Sequence, residues 1–123
     1  MAKRVLVVDD DAAVTELLRR ALGAAGFEVS VASDGEAGLR LARTHPPDLV
    51  ITDIVMPRMA GLQLIGRLVE APETSGVPVI VLSAHLPDHA PASWTRAVRL
   101  CLTKPFETDA VVAAVQTILA AEA

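Results

Sequence analysis

The sequence predicts an α/β protein, a doubly wound (βα)5 sandwich built around a five-stranded parallel sheet. Short apolar runs alternate along the chain with segments in which apolar residues recur at helical spacing. The runs contain few polar residues, as expected for parallel strands that are covered by helices on both faces. The chain has 123 residues and is 52% apolar, which suits one domain with a sizeable core. We therefore expect a single domain over residues 1–123.

The first strand and helix follow from the start of the chain. Val5–Val8 is an apolar run that predicts a strand. Apolar residues then recur on one face of a helix, and Asp11 in front of them is a suitable N-cap. Gly23 or Gly26 is expected to end this helix.

The second strand, second helix and third strand are predicted by the next stretch. "FEVSVA" alternates as a half-buried strand does. Ser33 and Glu36 have the spacing of a capping box, which predicts a helix running to about Arg43. "HPPD" interrupts the helical pattern, and the apolar Leu49–Thr52 predicts the third strand.

The second half of the chain repeats the alternation. Leu62–Val69 predicts a short helix, Val79–Leu82 and Leu100–Thr103 predict strands, and Thr108–Ala120 predicts the last helix. Between these two strands, Pro87 and Pro91 are poorly tolerated in a helix interior. The fourth of the five predicted helices should therefore start late and be short.

Polar side chains stand where four of the predicted strands end. Asp9 and Asp10 follow the first strand, Asp53 the third, Ser83 the fourth and Lys104 the fifth. Open parallel sheets bind their ligands beyond the carboxyl ends of the strands. Three carboxylates, a hydroxyl and an ammonium group should therefore meet at one edge of the sheet. Neighbouring carboxylates repel each other, and a hard cation such as Mg²⁺, which prefers oxygen ligands, would offset that repulsion.

The motifs that carry these residues resemble a known family. "VLVVDDD", "DLVITDIVMPRMAG", "VIVLSA" and "LTKPF" occur in this order, and each closes a predicted strand. Together they resemble the receiver domain of two-component response regulators, and the similarity extends over essentially the whole chain. The resemblance implies a flavodoxin-like fold with strand order 2-1-3-4-5.

The resemblance also implies roles for the residues at the strand ends. Asp53 would be the phosphoacceptor, and Asp10 would bind Mg²⁺ directly together with Asp53. Asp9 would support the metal site, often through water, and the backbone carbonyl of Val55 would complete the protein's ligands. The remaining roles, those of the switch hydroxyl and of the lysine that precedes a commonly cis peptide bond, would fall to Ser83 and Lys104.

Elementary chemistry agrees with these implied roles. An aspartate oxygen is a feasible nucleophile toward phosphorus, and a bound Mg²⁺ neutralises charge on the phosphoryl oxygens. Lys104 offers a point charge to one phosphoryl oxygen, and Ser83 can donate a hydrogen bond to another. Asp11 is better explained as a helix cap than as a ligand.

The sequence departs from the family pattern at position 101. Cys101 stands where the family usually carries a tyrosine or phenylalanine whose ring moves with the switch hydroxyl, and the chain contains no tyrosine. Coupling through a rotating ring is therefore not expected. We interpret Cys101 as a small buried residue of the fifth strand rather than a redox sensor.

Three functions compete for this chain. The first is a phosphoacceptor signalling domain whose own catalysis is limited to self-phosphorylation and self-dephosphorylation, so that it is not an enzyme in the ordinary sense. The second is a Mg²⁺-dependent phosphohydrolase of the haloacid-dehalogenase kind, but Val55 stands where those enzymes typically place a second aspartate. The third is a phosphorylation-independent interaction module, which predicts loss of an acidic or lysine position where none is lost.

Composition and resemblance together set expectations for partners and location. Formal net charge is −4, the basic residues are scattered, and no apolar run approaches the about 18 residues of a membrane span, so we expect neither direct nucleic acid contact nor membrane insertion. A single cysteine suits a reducing compartment, and we expect a cytoplasmic location. The resemblance implies a histidine kinase or histidine phosphotransfer protein as phosphoryl donor, and a downstream protein target or a homodimer as output.

Overall fold

A parallel sheet of five strands organises the protein. The computed structural model describes residues 2–56, 58–84 and 97–122. Their elements are β1 (Arg4–Val8), α1 (Ala12–Ala24), β2 (Glu28–Ala32), α2 (Gly35–Thr44), β3 (Leu49–Thr52), α3 (Gly61–Glu70), β4 (Val79–Ser83), β5 (Val98–Thr103) and α4 (Thr108–Glu122). The strands are ordered β2-β1-β3-β4-β5 and every pair is parallel, which confirms the predicted fold and strand order. The predicted short helix between β4 and β5 lies outside the described residues.

Alternate residues of the central strands supply two separate apolar cores. In β1, Val5 and Val7 face the layer formed by α1 and α4, while Leu6 and Val8 face α2 and α3. All four of these side chains are buried. A strand that is covered on both faces has no position for a charged side chain until it leaves the sheet. This is why the apolar run of β1 ends abruptly in carboxylates.

The helix starts confirm one predicted cap and correct another. The side chain of Asp11 accepts a hydrogen bond from the backbone N–H of Ala13 at 2.9 Å, as expected of the N-cap of α1. For α2, the prediction of Ser33 as the cap is wrong. Asp34 is the N-cap, and its Oδ1 accepts from the N–H of Ala37 at 2.8 Å. Ser33 is exposed and lies one residue before this cap, so it does not accept from the N–H of Ala37.

Strand β5 begins earlier than predicted. It includes Val98 and Arg99, although a charged residue in a strand argues against burial on both faces. Because β5 is at the edge of the sheet, Arg99 is exposed and bonds to Glu122 of α4 with Nε 2.9 Å from Oε1. The edge position therefore allows a charged residue within the strand, and the apolar pattern alone places the start of β5 too late.

The start of α3 lies unusually close to the end of β3. The N–H of Gly61 donates to the carbonyl of Ile54 at 2.7 Å. A Cβ atom on Gly61 would overlap with the backbone carbonyl of Asp53, so no larger residue fits without moving the chain. This contact fixes the distance between the helix and the residue that follows β3.

Replacing Gly61 with alanine should therefore destabilise the protein by about 1–3 kcal/mol, the usual cost of inserting a group into a packed site. Urea unfolding would measure the free-energy change. The control is Gly66→Ala in the same helix, where a Cβ would meet nothing within 4 Å. That change should stabilise the protein by about 0.4–1 kcal/mol, because alanine restricts the unfolded chain. Equal effects of the two substitutions would contradict the close-approach argument.

Candidate functional site

The parallel strands bring the predicted site residues to one edge of the sheet. Asp9 follows β1 and its N–H donates to the carbonyl of Ala32, which ends β2, at 3.1 Å. Asp53 follows β3 and its N–H donates to the carbonyl of Val8 at 3.0 Å. Both acids are therefore held at their backbones by the last hydrogen bonds of neighbouring strands.

Lys104 joins the two acids. Its Nζ lies 2.7 Å from Oδ2 of Asp9 and 3.0 Å from Oδ2 of Asp53. The residues are distant in sequence, and only the sheet brings them together. Asp9 is 3% exposed and Asp53 8%, so one ammonium group balances two nearly buried carboxylates. Removing such charges from water costs free energy, and only close pairing and hydrogen bonds offset that cost.

The electrostatics of this group follow from burial and from the shared ammonium. Burial raises the pKa of Asp9, and the hydrogen bonds from Lys104 and from the N–H of Asp11 only partly oppose that shift. Burial also disfavours the charged form of Lys104, but the two carboxylates outweigh this, and the pKa of Lys104 is raised. The lysine is therefore held in its charged form at the carboxylates.

The carboxylate of Asp53 is oriented by its own loop. Its Oδ1 accepts from the N–H of Ile54 at 2.6 Å and lies 3.4 Å from the N–H of Val55. Its Oδ2 is the atom that meets Lys104. Residue 55 is a valine with an exposed side chain, and a hydrocarbon side chain offers this site no acid or base.

Three carboxylates of this edge fit a divalent cation. Asp9, Asp10 and Asp53 can each offer one oxygen, and these oxygens all lie within 4.8 Å of one another. Asp10 is exposed, whereas the other two are buried, so a cation would enter the site from the side of Asp10. A set made only of carboxylate oxygens suits Mg²⁺, which keeps several waters and takes few protein ligands. Asp11 lies outside this set, as its capping role predicts.

Ser83 and Lys104 stand at neighbouring strand ends. Ser83 is buried and pairs in register with Thr103, the residue before Lys104. The N–H of Lys104 donates to the carbonyl of Ser83 at 2.9 Å. The peptide bond from Lys104 to Pro105 is cis, as the resemblance implied.

Cys101 lies on β5, as predicted, but it is only partly buried. Its side chain packs against the core that faces α2 and α3. Burial raises the pKa of its thiol, which favours the protonated form near neutral pH.

The sequence did not single out one further ion pair near this edge. Nε of Arg58 lies 3.0 Å from Oδ2 of Asp34, the N-cap of α2. Two hydrogen bonds hold the pKa of Asp34 below its ordinary value. The larger effect comes from the N–H of Ala37 and the smaller from Arg58. Neither Asp34 nor Arg58 was predicted from the sequence, because an ion pair between segments this far apart in the chain leaves no local pattern.

Comparison with known proteins agrees with this geometry. The model of the response regulator receiver domain family matches residues 5–116. The transcriptional regulatory protein GlrR of Escherichia coli (strain K12) is 38% identical over 117 residues, which are 94% of this chain and 26% of that protein. The response regulator MprA of Mycolicibacterium vanbaalenii is 36% identical over 120 residues, which are 97% of this chain and 51% of that protein. The chain thus spans about a quarter to a half of the length of these relatives.

Solved structures show the same fold. The receiver domain of Francisella response regulator 1452 has a TM-score of 0.85 at 28% identity, with 98% of this chain and 99% of that chain covered. None of the helices in the described residues has the length and apolar character to cross a membrane. Receiver domains are signalling domains that work with histidine kinases and generally bind Mg²⁺. The family match, the two relatives and the shared fold show that this chain belongs to the receiver domains of two-component response regulators.

Proposed function

We propose that Asp53 accepts a phosphoryl group and that Asp9, Asp10, Asp53 and the backbone carbonyl of Val55 hold the Mg²⁺ that this reaction needs. The observation that carries the proposal is the arrangement of Asp53 beside Asp9 with Lys104 bonded to both. A carboxylate that is nearly buried, oriented by two backbone amides and adjacent to further acids is suited to attack phosphorus when a cation is bound.

The reaction transfers a phosphoryl group between two proteins. A carboxylate oxygen of Asp53 forms the new bond to phosphorus, and the bond from phosphorus to the donor's imidazole nitrogen breaks. The bonding electrons leave with the imidazole, and the product is an acyl phosphate. When bound, Mg²⁺ neutralises charge on the phosphoryl oxygens.

Lys104 and Ser83 stabilise the phosphorylated form. In the unphosphorylated protein the ammonium group of Lys104 bonds Asp53. It can move to a phosphoryl oxygen once Asp53 is phosphorylated, because lysine is a point charge on a flexible stem. Ser83 is buried at the neighbouring strand end, and its hydroxyl can donate to a second phosphoryl oxygen. Cys101 has no ring that could move together with the Ser83 hydroxyl. The conformational change on phosphorylation therefore begins with that hydroxyl alone.

An apolar groove beside Lys104 suits the approach of the phosphoryl donor protein. Its volume is about 440 Å³, and it is lined by Ala13, Val14, Leu17, Lys104, Pro105 and Phe106. Leu17 is 50% exposed and adds apolar surface to this groove. We infer that the donor is a histidine kinase or a histidine phosphotransfer protein, since receiver domains work with histidine kinases, and that its imidazole approaches Asp53 beside this groove.

The wider assignment concerns the whole chain. Residues 1–123 form one receiver domain in a cytoplasmic phosphorelay, and its signal passes to a downstream protein or to a second copy of the chain. Direct nucleic acid contact is not part of this role, in keeping with a net charge of −4. The domain performs only its own phosphorylation and dephosphorylation. Steady hydrolysis of small phosphate esters would lack an acid–base group, because residue 55 is valine.

Intact-protein mass spectrometry with acetyl phosphate tests the proposal. With Mg²⁺ the chain should gain one phosphoryl group that hydroxylamine removes, since hydroxylamine cleaves acyl phosphates. With a chelator in place of Mg²⁺ it should gain none. An adduct that forms equally well without a divalent cation, or one that resists hydroxylamine, would refute the assignment.

Asp10 should matter most for the metal. We expect Asp10→Ala to weaken Mg²⁺ binding by about 100-fold or more, because loss of an outer-shell partner alone costs about 10- to 100-fold and Asp10 would be a direct ligand. The same change should leave the metal-free fold as stable or more stable, because Asp10 is exposed and its removal relieves like-charge repulsion. NMR titration with Mg²⁺ and urea unfolding would measure the two effects. Wild-type affinity in Asp10→Ala would place the metal site elsewhere.

A further inference from the structure

The loop between β3 and α3 carries two of the proposed functional groups. Its described residues are 53–56 and 58–60, and they include Asp53 and Val55. Its start is fixed by the N–H of Ile54, which donates to Asp53 Oδ1 at 2.6 Å. Its end is fixed by the N–H of Gly61, which donates to the carbonyl of Ile54 at 2.7 Å. These bonds define both ends of the loop but leave its middle to other contacts.

The N-terminus of α2 supports the middle of the loop. Two consecutive residues of each segment meet there: Asp34 pairs with Arg58, with Oδ2 and Nε 3.0 Å apart, and Gly35 lies against Met59. A Cβ on Gly35 would overlap with the backbone carbonyl of Met59, so the two backbones are in direct contact.

The anchor on the α2 side is a buried carboxylate that also caps the helix. Asp34 is 5% exposed, and its other oxygen, Oδ1, caps the helix by accepting from the N–H of Ala37 at 2.8 Å. The single carboxylate therefore ties the loop to the first turn of α2. Because one oxygen serves the helix and the other serves the loop, the amide oxygen of an asparagine can keep the cap, while its NH2 group replaces the oxygen that accepts from Arg58.

Arg58 occupies a backbone conformation that disfavours it. Its φ is +66°, in the left-handed region that glycine and asparagine adopt more readily than arginine. A side chain retained at such a position needs a compensating contact. The ion pair with Asp34 supplies that contact.

We propose that Asp34 and Arg58 are positioning residues for the cation site, which hold the loop in the conformation that presents the carbonyl of Val55 and the carboxylate of Asp53 to the metal. This inference rests on the proposed metal and phosphoacceptor roles of the loop. Without the ion pair the loop samples further conformations, and the apparent affinity for the cation falls with the population of the competent one.

Four variants and a control test the proposal by titration with Mg²⁺ alone, followed by NMR of the metal-free and metal-bound protein. Arg58→Asn suits the left-handed backbone but cannot reach Asp34, and Asp34→Asn keeps the helix cap. Both should weaken Mg²⁺ binding by about tenfold, the lower end of the range for outer-shell partners of a metal site. The double variant should be no weaker than either single one, because both remove the same contact.

Arg58→Lys should recover part of the affinity, since it retains the charge. Arg67→Asn removes an equal charge from an exposed arginine of α3 and should bind as wild type does. Unchanged affinity in both Arg58→Asn and Asp34→Asn, or an equal loss in Arg67→Asn, would overturn the proposal.

Hydrogen exchange in the absence of metal separates this proposal from the function on which it rests. Amides of residues 54–56 and 58–60 should exchange faster in Arg58→Asn and Asp34→Asn than in wild type or Arg67→Asn. If wild type binds no Mg²⁺, the proposed function fails, and faster exchange still supports the role of the ion pair in holding the loop. Unchanged exchange in both variants overturns that role whether or not the metal binds.

Discussion

Asp53→Asn should abolish the hydroxylamine-sensitive phosphoryl adduct that forms with acetyl phosphate and Mg²⁺. The substitution removes the negative oxygen that we propose attacks phosphorus, and an amide at that position cannot form the acyl phosphate. It keeps the size of the side chain and one oxygen that can accept from the N–H of Ile54. The expected loss is therefore chemical rather than structural, and intact-protein mass spectrometry measures it directly.

A matched substitution separates the site from the rest of the acidic surface. Asp109→Asn removes the same charge from an exposed position in the first turn of α4 and should leave the adduct unchanged. If the adduct persists undiminished in Asp53→Asn, the phosphoacceptor is another residue, and peptide mapping would locate it.

Lys104→Met should have the largest effect on the stability of the metal-free protein. It leaves Asp9 and Asp53 side by side and nearly buried without the ammonium group that now bonds both. Breaking a buried charge pair costs about 3–5 kcal/mol, and because the side chain of Lys104 is 19% exposed we expect about 2–3 kcal/mol at neutral pH. Urea unfolding would measure the change.

The stabilisation by Lys104 has a defined dependence on pH and on metal. Its pKa is raised in the folded protein, so this stabilisation is fully present below the ordinary value of 10.5 and is lost only as the pH rises through the folded value. Mg²⁺ at saturating concentration should restore part of the stability of Lys104→Met, since it binds only the folded state. Acyl phosphate formation should nevertheless remain slower than in wild type.

Two controls belong to this experiment. Lys3→Met removes the same charge from an exposed residue just before β1 and should change the stability little. In an Asp9→Asn background, Lys104→Met should cost less than in wild type, because one of its two partners is already neutral. Equal costs in the two backgrounds would show that Lys104 stabilises the fold through packing and not through the carboxylates.

Much of the fold and of the site's location could be predicted from the residues alone. The apolar runs at Val5–Val8 and Leu49–Thr52 are strands because only a segment covered on both faces is so uniformly apolar. The residues that follow such strands must be polar, since they leave the core at a common edge. That rule places Asp9 and Asp53 at the same edge of the sheet. Their position on neighbouring strands followed from the strand order that the family resemblance implies.

Local signals were less decisive where two residues could play the same part. Ser33 and Asp34 are both good N-caps, and the sequence pattern favoured the serine. The structure selects Asp34 because it must serve two partners at once, the amide of Ala37 and the guanidinium of Arg58. A serine hydroxyl cannot form the second of these contacts as an ion pair.

The sequence by itself determined where along the chain the apolar strands lie, that the acids lie at one edge of the sheet, and that Asp11 caps the first helix. Only the tertiary structure decided that one lysine serves two carboxylates, that Gly61 lies against Asp53 and that Arg58 reaches back to Asp34. The reason is physical. Periodicity and capping depend on neighbours within a few residues, whereas an ion pair or a backbone contact depends on the distance between segments far apart in the chain.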